Sequence, residues 1–361
     1  MNKFLIITAT SFMACVVMPY LEIAMNININ FARLERLATV AVLCCVISLP
    51  SCIRKEGATD ICHTKRDRMV QVRDLVCPFD TDTVIVSGKA WLYADDSHLF
   101  FKENQPEESV VYAFNPQTLM FEGAFGKPGP GPDEILMPGA MALNPNRGEV
   151  YIIDHGQLKI MAYNVDSALT CPDYHPWVKQ TIVTGGFPDR YVYVNDTLVP
   201  CRHISMPTPD SFTQRLGIYN IITGSITDFA PEGHSDTRLH SLFDVSARDS
   251  LLVETVSEID LIKIYDLKGR VIHRIKGPDY SENVEKGTDF FLNPVITHDF
   301  ILVPRKIEDR YAANEILVLS HDGEYLGTAD IGYELTHTAY APKQNRLFMV
   351  FDDETEMYGF I

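Results

Sequence analysis

Val110–Val111–Tyr112–Ala113–Phe114–Asn115 returns five more times, in altered letters, along this chain of 361 residues. It recurs as Lys159–Ile160–Met161–Ala162–Tyr163–Asn164, as Leu216–Gly217–Ile218–Tyr219–Asn220 and as Ile262–Lys263–Ile264–Tyr265–Asp266. Weaker copies are Ile316–Leu317–Val318–Leu319–Ser320 and, at the C-terminus, Glu356–Met357–Tyr358–Gly359–Phe360–Ile361. Each copy is a short apolar or aromatic run closed by a turn, which is strand chemistry rather than a helical period. The copies stand roughly 40 to 57 residues apart, close to the period of four-stranded propeller blades.

Around each copy the pattern extends in both directions. An outer strand follows it, as at Val271–Lys276 or Ser225–Phe229. A strand that begins at a polar turn precedes it, as at Glu149–Asp154 or Arg346–Phe351. Other short strands are expected at Val150–Ile153, Tyr191–Val194, Ser250–Val256 and Ile301–Val303, with turns at Asn195–Asp196, Lys268–Gly269 and Asp322–Gly323. The expected fold is therefore all-β: a single six-bladed β-propeller of four-stranded antiparallel blades over residues 69–361. The sixth copy ends the chain at Ile361 with no fourth strand after it. An open edge there is a liability, so an N-terminal strand is expected to close the ring onto Glu356–Ile361. Met69–Val76 and Thr83–Ser87 are the two candidates.

A more specific signal lies between the first two copies. Phe125–Gly126–Lys127–Pro128–Gly129–Pro130–Gly131–Pro132–Asp133–Glu134 leads to Gly139–Ala140–Met141–Ala142–Leu143, then to Val150–Tyr151–Ile152–Ile153–Asp154 and Leu158–Lys159–Ile160. This run resembles the "G-x-G-P-G-E…P…I-A…V-Y-V-x-D…R-I" pattern of NHL-type and TolB-like six-bladed propellers. The chain after residue 68 resembles the TolB-like propeller lipoproteins of Gram-negative gut bacteria. The match is good across the first two blades, and strand rhythm carries it through the rest. Asp154–His155–Gly156 departs from the usual Asp–x–x–Asn turn, and Pro132–Asp133 lengthens a run that is more compact in the family. The resemblance implies architecture; that family has no well-defined activity to carry over.

The N-terminal 51 residues read as a signal region. Arg33 and Arg36 precede the apolar run Leu37–Leu49, and Leu49–Pro50–Ser51–Cys52 has the form of a lipobox. The run is shorter than the ~20 residues of a membrane span. Cys52 is thus the expected lipidation site, with residues 52–68 a polar tether. Residues 1–24 are a second apolar stretch that duplicates the signal; either Met25 is the true start or this stretch is a first membrane helix. The expected location is the cell envelope, lipid-anchored to the outer membrane, facing either the periplasm or the cell surface.

Charge narrows the partners. The chain carries 31 Lys and Arg against 48 Asp and Glu. Without Lys3, Arg33, Arg36, Glu22 and Glu35 of the signal region, 28 bases face 46 acids, a net charge of −18. Nucleic acid is excluded as a partner, because its binding rests on cationic neutralisation of phosphates. Beyond Cys52 there remain Cys62, Cys77, Cys171 and Cys201. An exported chain admits a disulfide, but four cysteines allow three pairings and spacing selects none. Buried or incidental thiols are the simpler expectation.

Enzyme motifs are scarce. There is no G-x-S-x-G elbow, no H-E-x-x-H and no P-loop, and no cofactor is expected. Clustered acids at Asp133–Glu134 and at Asp352, Asp353, Glu354 and Glu356 lack calcium-loop spacing and read as solvated turns. Blade geometry suggests a site instead. The loops after the second strands gather at one mouth of the channel, bringing Lys102, His155, Arg202, His203, Arg305 and Lys306. Two of these loops look long, Ile204–Gln214 and Ile307–Asn314, the second carrying Arg310 and Tyr311. Arg is a planar donor fork for carboxylates and Tyr a flat face for a sugar. The candidate ligand residues are therefore His155, Arg202, His203, Arg305, Arg310 and Tyr311, with no catalytic or metal residue among them. The expected function is a membrane-anchored binding module for a protein, peptide or glycan. The alternatives are a metal-dependent lactonase or lyase, for which Glu134, Asn195 and Asp352 would have to converge, and a scaffold in an envelope complex.

Overall fold

Short apolar strands that are buried on both faces must be covered by neighbours on both sides. The chain meets that demand with four-stranded antiparallel sheets in a propeller arrangement. A computed structural model describes residues 58–81, 84, 86–182, 187–195, 197–208, 211–229, 240–282, 289–306, 312–353 and 357–361, and within these the backbone alone at 198, 206–208 and 211–212. The chain divides into two units, Met1–Glu56 and Gly57–Ile361, and every described residue lies in the second. Among the described residues no helix is long and apolar enough to cross a membrane.

Three short N-terminal strands come first: β1 (Thr59–Cys62), β2 (Met69–Gln71) and β3 (Cys77–Pro78). The first full sheet is β4 (Trp91–Ala94), β5 (Leu99–Lys102), β6 (Val111–Phe114) and β7 (Phe121–Phe125). The second is β8 (Pro138–Asn144), β9 (Glu149–Asp154), β10 (Lys159–Asn164) and, after the short helix α1 (Val165–Thr170), β11 (Trp177–Thr181). The third is β12 (Phe187–Tyr191), β13 (Leu198–Thr208), β14 (Ser211–Asn220) and β15 (Ile226–Asp228). The fourth is β16 (Ser241–Ser246), β17 (Leu251–Val256), β18 (Leu261–Asp266) and β19 (Val271–Lys276), with β1 added at its outer edge.

The last sheet is wider. It runs through β20 (Val295–Ile296), β21 (Ile301–Arg305), β22 (Ala313–Leu319), β23 (Tyr325–Ala341), β24 (Arg346–Phe351) and β25 (Tyr358–Phe360) to β3. β23 holds it together by changing partner along its length: Tyr325–Asp330 pairs mainly with β22, and Leu335–Ala341 with β24. Gly332 sits between the two halves at φ +72°, a left-handed conformation that glycine adopts without steric cost.

The repeated run that opened the sequence lies third in its strand series every time, as β6, β10, β14, β18, β22 and β25. Its continuous apolar character follows from that place. β6 is buried at all four positions, and β10 and β18 at five of six. The cores lie between consecutive sheets. One cluster joins Phe100 and Val111 to Ile152 and Tyr163, and the next joins Tyr151 and Ile160 to Val199 and Tyr219. Another joins Phe101 and Phe114 of the first sheet to Phe348 and Tyr358 of the last.

The glycine–proline run between β7 and β8 is a compact turn. Ile135 N–H donates to Lys127 O at 2.9 Å, Gly129 N–H to Ile135 O at 3.0 Å, and Gly131 N–H to Glu134 Oε2 at 2.9 Å. A Cβ on Gly129 would overlap that carboxylate, at 2.2 Å.

Four expectations need correction. The strand placed at Tyr191–Val194 is Phe187–Tyr191, shifted toward the N-terminus. Ile204–Gln214 is not a long loop: β13 and β14 continue as a paired hairpin out to Thr208 and Ser211, with the Ser205 and Thr213 hydroxyls 2.6 Å apart. The strand beside Glu356–Ile361 is neither Met69–Val76 nor a strand within Thr83–Ser87, where residues 83 and 85 lie outside the described set. It is Cys77–Pro78, paired with Gly359 and Phe360. Buried Val76 and the adjoining Phe79 anchor that dipeptide from both ends, and Pro78, which lacks an N–H, is tolerated at an edge. β2 pairs instead, in parallel, with Thr328–Asp330 of β23.

The fourth correction concerns the tether at 52–68. Within it, β1 runs parallel to β19, from Thr59 opposite His273 to Cys62 opposite Lys276. His63 Nε2 lies 3.1 Å from Gly323 O. Arg66 is buried against the equally buried Asp260, N to O 2.5 Å. Apolar Ile61 packs on the core beneath this edge, so the polar letters around it conceal a docked strap.

Candidate functional site

Among the described residues β4, β8, β12, β16 and β20 each have one backbone edge without a strand partner, and they converge on one cavity of about 260 Å³. β4, β8, β12, β16 and the Asn293–Ile296 segment reach it, together with the second half of β23. Trp91, Tyr191, Tyr193 and Tyr340 supply aromatic wall. Tyr93, Arg190, Asp244, Asn293 and His337 supply polar atoms. These ionisable groups are surrounded by protein yet keep part of their surface open to the cavity.

Arg190 is the unusual member. Its strand is bulged between Pro188 and Arg190, and bulges re-aim side chains. Among the described residues its guanidinium has no ion pair and no side-chain hydrogen bond. Its guanidinium lies 5.7 Å from the centre of the Phe243 ring. Burial lowers its pKa, while Tyr93, Asp244 and Asp189 oppose that shift. Asp244 acts on it electrostatically without an ion-pair contact, and its carboxylate accepts the Ile296 N–H at 2.8 Å. Burial raises the Asp244 pKa despite that bond.

A stacked array adjoins it. The Trp91 and His337 rings lie 5.4 Å apart, and the Lys102 ammonium sits 4.5 Å over the Trp91 ring. Lys102 Nζ donates to Asn104 Oδ1 at 2.7 Å and to Gly139 O at 2.8 Å. Burial brings Lys102 down to about 7. His337 falls to about 3, through burial first and then the positive charges of Arg190 and Lys102. It is a neutral imidazole at physiological pH. Tyr93 accepts the Met141 N–H at 3.0 Å, and its pKa is raised by burial.

The residues expected from sequence separate. Arg202 Nε donates to Asp189 Oδ2 at 2.8 Å, and its NH1 to Ser241 O at 2.8 Å, so its charge is already engaged. His155 packs on Phe187 at 5.0 Å, its Nε2 buried without a hydrogen-bond partner among the described residues. Burial lowers its pKa, and Asp189 acts on it electrostatically. His155 and Arg202 are thus linked through Asp189, next in sequence to Arg190. His203 faces the outer strand: its Nδ1 is 3.2 Å from Asp228, close enough for an ion pair but not aligned as a hydrogen bond. Arg305 pairs with Asp279 at 3.1 Å and Glu315 at 3.6 Å. Arg310 and Tyr311 lie outside the described residues.

Glu134, Asn195 and Asp352 do not join. Glu134 binds Lys127 and the Gly131 N–H, and Asn195 Oδ1 caps its own turn at Thr197 N. No three His, Cys, Asp or Glu side chains gather at metal-binding distance among the described residues. The four cysteines beyond Cys52 are free thiols, with Cys201 buried and the others exposed. A second recess of about 460 Å³ lies beside the glycine–proline run. Its charges are already matched, Lys127 with Glu134 and Asp133 with His175.

No protein-family model matches the chain, and no curated protein matches it. Solved structures do. A member of the DUF4221 family from Bacteroides vulgatus is similar with a TM-score of 0.51 at 12% identity, covering 79% of this chain and 94% of that one. A protein from Bacteroides fragilis, named only as an exported protein, gives 0.52 at 10% identity over 82% of this chain and 89% of that one. Regucalcin from Agrobacterium tumefaciens gives 0.47 at 8% identity over 84% and 95%. At these identities the likeness is one of fold, and the fold is a β-propeller.

Proposed function

We propose that this protein is a lipid-anchored six-bladed propeller of the outer membrane, serving as a binding module whose ligand enters the central cavity. Six copies of one strand at the third place of six strand series support the blade count. The two-partner register of β23 supports reading the wide sheet as two blades. The pairing of β3 with β25, and the core shared by Phe101 and Tyr358, support a closed ring. The lipobox ending at Cys52 supports the anchor. Cys52→Ala should move the protein from the detergent phase to the aqueous phase in phase partition; an unchanged partition removes the anchor.

The observation that carries the binding reading is the cavity itself. Aromatic rings and a few polar groups from six segments meet in one concave site, the usual anatomy of a small-ligand pocket. The ligand class is a glycan, a peptide or an exposed end of a partner protein. Thermal melting of the full chain in detergent against neutral and acidic oligosaccharides and peptides tests this. A ligand at about 100 times its Kd adds about 2.7 kcal/mol, and Trp91→Ala should abolish the shift. No shift with any probe, or a shift indifferent to Trp91→Ala, would sink the cavity as the site.

A further inference from the structure

We propose that the cavity recognises a single carboxylate on a flat, hydroxyl-bearing or aromatic body, with Arg190 gripping the carboxylate and the Trp91–Tyr93 wall holding the body. This rests on the cavity being the ligand site and goes on to name the ligand's chemistry.

A buried cation is ordinarily paired, because taking it from water is costly. Every other arginine described near the mouth obeys: Arg202 is held by Asp189 and Arg305 by Asp279 and Glu315. Among the described residues Arg190 is the arginine that lines the cavity, and its fork holds no ion pair or side-chain hydrogen bond, in a chain whose net charge is −17. Such a guanidinium is a ready bidentate donor for an anion.

The rest of the wall decides which anion. Asp244 shares the wall and is held by the Ile296 N–H. His337 is uncharged, and Lys102 is turned to the Asn104 and Gly139 oxygens. Among the described lining residues one cation, Arg190, stands beside one carboxylate, which suits a monoanion and disfavours a phosphate dianion. Trp91 offers a stacking face, and Asn293 Oδ1, buried without a hydrogen-bond partner among the described residues, offers an acceptor for a hydroxyl or amide N–H. A uronic acid residue of a glycan and the free C-terminus of a peptide both present this chemistry.

The test uses isothermal titration of the full chain in detergent with four probes. They are a uronate disaccharide and its methyl ester, and a short peptide acid ending in an aromatic residue and its C-terminal amide. The proposal expects one acid to bind about 10- to 100-fold more tightly than its neutral partner. Arg190→Gln should erase that ratio while leaving the weak neutral binding in place. Whichever acid wins identifies the source of the carboxylate. Arg190→Met controls for folding: with an unpaired buried charge removed, its melting temperature should rise even as acid binding is lost. Neutral probes binding as well as acids, or Arg190→Gln keeping the ratio, would overturn the carboxylate while leaving the cavity as a binding site. Neither acid binding more tightly than about 1 mM overturns it as well.

Discussion

Arg66→Met will cost the folded protein about 3–5 kcal/mol, the range for breaking a buried ion pair from one side. Arg66 and Asp260 are almost wholly buried. Without the guanidinium, Asp260 keeps, among the described residues, the Asp279 N–H at 3.2 Å, and an uncompensated carboxylate is left away from water. The loss belongs to that stranded charge more than to the pair itself. The double variant Arg66→Met/Asp260→Asn should therefore recover more than half of it. A chain beginning at residue 69 should lose still more than the single variant, since β1 and the His63 contact with Gly323 O go as well. Urea denaturation monitored by tryptophan fluorescence and circular dichroism reads all of these. A cost below about 1 kcal/mol for Arg66→Met would show that the strap is only laid on the surface.

Acid will weaken the protein through His337. Its pKa in the folded chain is about 3, against an ordinary value of 6.5. Between those values the unfolded chain binds a proton that the folded chain refuses, so stability rises with pH across that window and is lost as pH falls from 6.5 toward 3. The full shift would approach 5 kcal/mol; partial opening to the cavity reduces this to about 2–3 kcal/mol by pH 4. His337→Gln abolishes that share, because glutamine does not titrate. The comparison is the change in urea midpoint from pH 7 to pH 4 in the two proteins. Parallel changes would clear His337 and place the acid sensitivity among the carboxylates.

What sequence could reveal follows burial. The third strands were legible because neighbouring sheets cover both faces, which forces unbroken runs such as Val111–Phe114 and Lys159–Tyr163. The second strands β9 and β24 were legible for the same reason. The innermost strands obey another rule. They must present Tyr93, Arg190, Asp244 and His337 to a cavity, so their apolar pattern is interrupted and they resemble loops. Arg190 was passed over for that reason, although it sits two residues after Pro188 inside a strand. Polar letters at the centre of a predicted inner strand were the available signal. The mouth residues were chosen by their place at the ends of second strands, but Arg202 and His203 lie inside β13, and partner choice cannot be read from such a position. Asp189 claims Arg202, and Asp228 turns His203 outward. The strand beside β25 was missed because two residues, one of them proline, are too few to carry a strand pattern.

β1 also sets how this protein meets mechanical load. A pull on the chain ahead of residue 58 enters along the axis of β1, which is hydrogen-bonded side by side to β19 and pinned behind by Arg66. The force therefore loads several hydrogen bonds together in shear, where a hairpin edge would unzip them one after another. Were the chain anchored ahead of residue 58, as proposed, the strap would be the element that bears the tension first.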